Sequence, residues 1–154
     1  MERARDTGEA ALTDKVTLVQ EADDDIQAGF LMYLPVYRPG QARETIDERR
    51  ANLLGWVYAP FRANDLMDGI LGTHFREVGA SLSLEIYDGT SATDADALMF
   101  DSNKGSDAPG ARFSMSQHME LYGRPWTVVV HSLAPFETRL RSSQAQLVGA
   151  AGIV

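Results

Sequence analysis

The stretch GFLMYLPVYR, residues 29–38, decides the fold of this chain. From Phe30 to Tyr37 it carries no charge and is rich in aromatic and branched side chains. Such a run predicts a strand buried on both faces, which needs cover on each side. Pro35 has no N–H group to donate to a neighbouring strand, so we expect an open edge or a bulge near the end of this strand.

A second apolar run, LLGWVYAPF at Leu53–Phe61, predicts another strand of the same kind. Apolar walls with a few hydroxyl groups suit a small flat ligand. The alternative is a packed core in which the rings fill one another's space. The aromatic side chains concerned are Tyr33, Tyr37, Trp56, Tyr58 and Phe61.

The segments around these two strands predict short elements. A short N-terminal helix leads into a strand at about Val16–Glu21, and the aspartate run 23–25 lies in a solvated loop. Thr45 and Glu48 have the spacing of a capping box, which predicts a helix over 46–52.

The second half of the chain predicts one helix, several strands and a last helix. The first helix has Asn64 as its N-cap and presents one face made of Met67, Ile70, Leu71 and His74. Strands are predicted at 82–86 and 97–100 and in a long hairpin, 113–121 with 126–133, before Pro135 opens the last helix. Together these elements predict an α+β fold with antiparallel sheets and flanking helices.

Composition and charge exclude several classes of function. Fourteen basic and 22 acidic residues give a net charge of −8, which argues against nucleic acid or an anionic membrane surface as the main partner. The chain has no cysteine, so it forms no disulfide and has no thiolate chemistry.

The sequence also lacks the motifs of catalysis and metal binding. His74, His118 and His131 do not have the spacing of metal ligands, although the last two would lie on neighbouring strands and could approach each other. Asp88 and Asp101 end adjacent strands, where they fit turns or an acid–base pair. Nucleophile elbows and phosphate-binding loops are missing. We therefore expect no catalytic residue, no metal site and no cofactor.

The two ends of the chain give opposite indications about its compartment. Residues 1–9 contain no apolar run of the kind that a signal peptide needs. Residues 147–154, LVGAAGIV, are apolar or glycine throughout. They fit either the start of a membrane span, which needs about 20 such residues, or a short hydrophobic tail.

Four segments, taken in order, resemble the CHASE domain, the extracytoplasmic sensor module of plant cytokinin receptors and many bacterial membrane receptors. They are ARDTGEAALT (4–13), GFLMYLPVY (29–37), ERRANLLGWVYAPFRANDLMDGILG (48–72) and LSLEIYDGT (82–90). The resemblance implies PAS-like sheets in two units: residues 1–63 would end a membrane-distal, ligand-binding unit and residues 64–134 would form a membrane-proximal one. Residues 135–154 would be a helix that leads into a membrane span, and the family's long N-terminal helix would lie ahead of Met1.

The same resemblance implies a sensor rather than an enzyme. The domain would face the periplasm or the cell exterior at the cell inner membrane and bind a small molecule of unknown identity. A homodimeric receptor would then pass the signal to a histidine kinase or a cyclic-dinucleotide output domain, without contacting nucleic acid. Two alternatives stay open: a module that transmits signals without binding a ligand, and a soluble cytoplasmic domain with an apolar tail.

The ligand contacts of cytokinin-binding members map onto five positions of this chain: Val19, Tyr33, Trp56, Ala59 and Phe61. Tyr33 replaces a threonine of the plant receptors, and its ring would fill much of the space that an adenine uses. The family's acidic adenine-binding residue would lie upstream of Met1. The resemblance therefore implies a sensor whose ligand is not a cytokinin.

Overall fold

The computed structural model describes residues 1–18, 27–79, 81–104 and 110–141, with the backbone alone at residues 18 and 73–79. The helices are α1 (Glu2–Thr7), α2 (Ile46–Asn52) and α3 (Ala63–Gly79), and residues 134–141 are also helical. The strands are β1 (Ala11–Leu12), β2 (Val16–Leu18), β3 (Gln27–Tyr37), β4 (Leu53–Arg62), β5 (Leu82–Asp88), β6 (Leu98–Asp101), β7 (Ser114–Leu121) and β8 (Arg124–Ser132). A short 3₁₀ turn, Ala95–Ala97, precedes β6.

The strands form two four-stranded antiparallel sheets with helices at their flanks, which confirms the predicted α+β class. In the first sheet β3 lies in the centre, with β4 along one edge and β1 and β2 along the other. In the second sheet the strand order is β6-β5-β8-β7. The division into a membrane-distal and a membrane-proximal unit stays a prediction.

The central strand β3 pairs with β4 along almost its whole length, from Gly29 opposite Arg62 to Tyr37 opposite Leu53. The register shifts between Val36 and Tyr37, which is the irregularity that the proline at position 35 predicts. The prediction that β3 is buried on both faces is wrong for its second half, where most residues are half-buried or exposed. Phe30 is 4% exposed, whereas Leu34 is 50% exposed.

The core lies between the start of β3, the first turns of α3 and the second sheet. Its buried members are Phe30, Ala63, Met67, Ile86, Met99, Phe100 and Trp126. Phe30 stacks on Phe61 with ring centroids 5.3 Å apart and meets Trp126 edge-on at 5.1 Å. The pair of Phe30 with Trp126 joins the two sheets through apolar contact.

Helix α3 differs from its predicted face and start. Met67 is buried and Leu71 packs against the core, but Ile70 is 65% exposed. The helix begins at Ala63, so Asn64 is not its N-cap, and its backbone breaks at Gly72, where φ is 51°. The break ends the continuous amphipathic face that the spacing predicts, and the side chain of His74 lies outside the described residues.

The local signals for α2 and for the long hairpin are confirmed. Thr45 and Glu48 form the predicted capping box at the start of α2. Strands β7 and β8 are joined by Tyr122 and Gly123, which both have positive φ, at 47° and 82°. Two such residues make the tight turn that suits the twist of a hairpin.

Several predictions concern residues that lie outside the described part of the chain. They are the end of the strand at 16–21, the aspartate loop 23–25 and the apolar segment 147–154. Over the residues that are described, no helix is both long and apolar enough to cross a bilayer.

Candidate functional site

The aromatic side chains of β3 and β4 divide between two faces of the sheet. Residues directly opposite each other in an antiparallel pair point to the same side. Tyr33 lies opposite Tyr58 and Pro35 opposite Trp56, so Tyr33, Trp56 and Tyr58 share one face, which we name the aromatic face. Ala59, opposite Met32, and Phe61, opposite Phe30, lie on the other face.

This division separates the residues that the family resemblance groups together. Tyr33 and Trp56 lie side by side on the aromatic face, whereas Phe61 turns into the core and stacks on Phe30. The side chain of Ala59 is exposed on the same side as Phe61. A ligand that lies against one side of the sheet therefore contacts either Tyr33 and Trp56 or Ala59 and Phe61. Val19 lies outside the described residues.

The aromatic face offers flat rings and hydroxyl groups to solvent. The rings of Tyr33 and Tyr58 lie 5.8 Å apart at 36° to each other, and Tyr58 is 60% exposed. Tyr33 and Trp56 are half-buried. In the described part of the chain the hydroxyls of Tyr33 and Tyr58 have no hydrogen-bond partner. The face can therefore stack on a flat molecule and also donate hydrogen bonds to it.

Helix α1 closes one end of this face. The indole N–H of Trp56 donates to the carbonyl oxygen of Met1 at 3.3 Å, and the hydroxyl of Tyr37 donates to that of Arg5 at 2.5 Å. Burial raises the pKa of the Tyr37 phenol, which keeps it a neutral donor. The first turn of α1 is therefore part of the candidate site. The pattern of apolar residues did not predict this contribution.

Helix α1 is itself held by α2. The carboxylate of Asp6 accepts hydrogen bonds from Arg50 at 2.6 Å and from Arg5 at 2.7 Å, and Arg49 donates to the Asp6 carbonyl oxygen at 2.8 Å. The hydrogen bonds from Arg50 and Arg5 hold the pKa of Asp6 well below its usual range. The position of α1 beside Trp56 is therefore fixed by polar contacts with α2.

Asp88 ties the β1–β2 turn to the second sheet. Its carboxylate accepts a hydrogen bond from the backbone N–H of Lys15 at 2.7 Å and two from the Arg124 guanidinium at 2.9 and 3.0 Å. Arg124 also pairs with Asp14. Of the two interpretations of Asp88 and Asp101, the acid–base pair is excluded, because Asp101 lies opposite Glu85 in the register and Asp88 is bound to Arg124.

The two described histidines occupy ordinary sheet positions. His118 lies opposite Thr127 and His131 opposite Ser114, so they are four residues apart along the hairpin, or about 13 Å. They therefore do not approach each other, although they lie on neighbouring strands. The imidazole Nδ1 of His118 lies 2.9 Å from the hydroxyl of Thr127, which donates to the carbonyl of Gly89. Across the described ranges no three acidic or histidine side chains gather as a metal ion requires.

Comparison with known proteins identifies the family. The CHASE domain profile matches residues 1–100 of the 154-residue chain, which include the aromatic face, α1 and α3. A search of curated proteins finds no match. CHASE domains are sensor modules of receptors and are typically extracytoplasmic. The chain belongs to the CHASE domain family.

Proposed function

We propose that this CHASE domain binds a small, flat and largely apolar molecule on the aromatic face. The observation that carries the proposal is the group formed by Tyr33, Trp56 and Tyr58, whose rings are partly open to solvent although apolar residues of the same strands are buried. Burial of ring surface against a ligand is worth about 25 cal/mol per Å² of apolar area. The tyrosine hydroxyls would fix the orientation of a ligand that carries hydrogen-bond acceptors.

The tyrosine at position 33 sets a limit on the ligand. Its ring occupies the aromatic face beside Tyr58, where a smaller side chain would leave room for a purine. The proposed ligand is therefore narrower than an adenine, such as a single-ring aromatic acid.

Signal transmission would use two contacts between the sheets. One is the ring contact of Phe30 with Trp126, and the other is the hydrogen bond that Asp88 accepts from the backbone N–H of Lys15 in the β1–β2 turn. A ligand that contacts both the aromatic face and α1 would favour one packing of the first sheet on the second. Strand β8 leads directly to the helical residues 134–141, which would carry the change towards the membrane.

The wider setting of this proposal rests on the family. The domain would face the periplasm or cell exterior of a homodimeric receptor anchored in the inner membrane. This chain would have no catalytic role, and a histidine kinase or a cyclic-dinucleotide enzyme would provide the output.

A thermal-shift screen tests the binding. Purified chain would be heated with a panel of single-ring aromatic acids, aliphatic acids and adenine-type cytokinins. We expect at least one acid, and no cytokinin, to raise the Tm, since a ligand at 100 times its Kd stabilises a protein by about 2.7 kcal/mol. Tyr33→Lys and Trp56→Ser should abolish the shift, and Val57→Ser, on the opposite face, should keep it. Micromolar binding of a cytokinin would contradict the proposed specificity.

A transmission module that binds nothing is the second candidate, and the two contacts between the sheets favour it equally. Signalling by the full receptor distinguishes the candidates. If Tyr33→Lys and Trp56→Ser leave signalling intact while Asp88→Asn abolishes it, the domain transmits without sensing.

A further inference from the structure

In the described part of the chain, strand β7 has an edge that lacks the usual protection against pairing with another strand. Within the described residues the other sheet edges are short or interrupted: β1 and β2 have two and three residues, β6 has four and a register shift, and β4 contains Pro60. Strand β7 has eight residues, an unbroken register with β8, and neither proline nor lysine. Natural proteins use short strands, register shifts, prolines and lysines to prevent edge-to-edge association. The absence of these features from β7 indicates a strand that pairs with a partner.

Both faces of β7 are open as well as its edge. Every residue from Ser114 to Glu120 is exposed. Met115 and Met119 are 57% and 38% exposed, although they lie on the face of the sheet that holds Trp126 and Val128. The two exposed methionines extend the core face to the edge of the sheet as an apolar patch, and its exposure to water is unfavourable.

The hydrogen-bond pattern shows which backbone groups point outward. The N–H of Ser132 donates to the carbonyl of Phe113 at 2.9 Å, so residue 113 bonds to β8. Because bonding alternates along an antiparallel pair, residues 115, 117, 119 and 121 also bond to β8. The N–H and C=O groups of Ser114, Ser116, His118 and Glu120 then point away from β8, towards the free edge.

We propose that β7 pairs antiparallel with β7 of a second copy of this chain, about a two-fold axis at Gln117. In this register Ser114 lies opposite Glu120 and Ser116 opposite His118, so outward backbone groups meet outward groups and each pair exchanges two hydrogen bonds. On the core face Met115 meets Met119, and Gln117 meets its own copy. The register brings no two like charges opposite each other and places Glu120 diagonal to Arg112 of the second copy.

A shift of the register by two residues in either direction is less favourable. One shift places Met115 opposite Gln117, and the other places His118 opposite His118. Both separate the methionines from each other. Of these three registers, only the one centred on Gln117 pairs Met115 with Met119 and avoids histidine opposite histidine.

The pairing would join two copies into one eight-stranded sheet, since each copy contributes a four-stranded sheet. This inference goes beyond the proposed sensor role and does not depend on a ligand. The two proposals can therefore fail separately. A chain that dimerises but binds no panel compound contradicts only the ligand proposal, and a chain that binds a compound but stays monomeric contradicts only the dimer proposal.

Sedimentation velocity on the full chain tests the interface. We expect a dimer as the concentration rises towards about 1 mM, the effective concentration of tethered partners. Gln117→Lys and Gln117→Glu each place like charges face to face across the axis, which should raise the dimer Kd about fivefold or more. An equimolar mixture of the two variants should restore the dimer, because opposite charges then meet. Loss of folding in either variant cannot produce that restoration.

Gln41→Lys is the matched control, because it makes the same change at an exposed loop position outside β7. It should dimerise as the unchanged chain does. The proposal is overturned by a chain that stays monomeric over the whole range, by a Gln117→Lys variant with unchanged Kd, or by a mixture of the charged variants that stays monomeric.

Discussion

Asp88 is the side chain on which the polar link between the two sheets depends. Its side chain is 9% exposed, and it accepts hydrogen bonds from Arg124 and from the backbone of Lys15. The Arg124 guanidinium is also largely buried, and its Nε has no hydrogen-bond partner among the described residues. Removal of the Asp88 charge therefore leaves a largely buried cation whose other acidic partner, Asp14, is 75% exposed.

Asp88→Asn should lower the free energy of unfolding by about 2–3 kcal/mol, because a charge-assisted hydrogen bond is lost while the shape of the side chain is kept. Urea denaturation measures the change. Asp14→Asn is the matched control, since Asp14 pairs with the same arginine but is 75% exposed, and its loss should cost less than about 1 kcal/mol. Equal losses in the two variants would show that burial of the pair is unimportant.

Tyr87 gives the stability of the domain a dependence on alkaline pH. The phenol is 8% exposed and donates to Glu85 at 2.7 Å, and burial together with this hydrogen bond raises the pKa of Tyr87 from 10.0 to about 12. The unfolded chain releases this proton near pH 10 and the folded chain holds it to about pH 12. The contribution of Tyr87 to stability is thus complete below pH 10 and is lost as pH rises towards 12.

Tyr87→Phe should make the free energy of unfolding fall less steeply between pH 10 and pH 12, because the substituted chain has no proton to retain. Urea unfolding at several pH values measures the slope. A phenolate absorbance titration gives a second readout, in which the difference between the two proteins should appear near pH 12. A difference in phenolate absorbance that appears near pH 10 would contradict the raised pKa of Tyr87.

At the scale of elements, the hairpin turn is the most demanding local structure. Gly123 has φ of 82°, and a methyl group there would overlap the guanidinium of Arg3. Gly123→Ala should therefore destabilise the domain by about 1–2 kcal/mol, the cost of left-handed backbone for a residue with a side chain. Thermal unfolding measures the loss.

Two further variants separate backbone strain from the contact with Arg3. In an Arg3→Ala background the Gly123→Ala penalty should persist, since the strain is in the backbone. Gly55→Ala should be nearly neutral, because Gly55 has no atom within 4 Å of the added group. A penalty that disappears in the Arg3→Ala background would assign the cost to the contact instead.

The sequence predicts those elements whose signals are local. The capping box at Thr45 and Glu48, the glycine at the hairpin turn and the apolar runs of β3 and β4 each lie within a few residues of the structure that they specify. The partner of Asp88 could not be predicted, because Arg124 lies 36 residues away along the chain. The exposure of Ile70 depends on the break at Gly72 and on which elements meet α3, and spacing alone does not contain that information.

The candidate site was predictable only as a collection of aromatic residues. The runs place Tyr33 and Trp56 in adjacent strands, but which β4 residues share a face with Tyr33 depends on the register, which the intervening turn and α2 set. That register adds Tyr58 to the aromatic face and places Phe61 in the core. The contribution of Met1 through its carbonyl oxygen involves no side chain, so no residue pattern could indicate it.

At the scale of the whole molecule, the two sheets have different exposed features. The first sheet presents the aromatic face, closed at one end by α1, and the second presents the open edge of β7. The core around Phe30 lies between them, as do the contacts of Asp88 and Arg124 with the β1–β2 turn. This arrangement would let a ligand on one sheet influence an association of copies through the other.

Fluorine NMR of the chain labelled with 5-fluorotryptophan tests ligand binding at the aromatic face most directly. The chain has two tryptophans, Trp56 on this face and Trp126 in the core, and Trp56→Phe assigns their resonances. When the acid that gives the largest thermal shift is added to saturation, the Trp56 resonance should move and the Trp126 resonance should move much less. A Trp56 resonance that stays in place at saturation would contradict the assignment of the site.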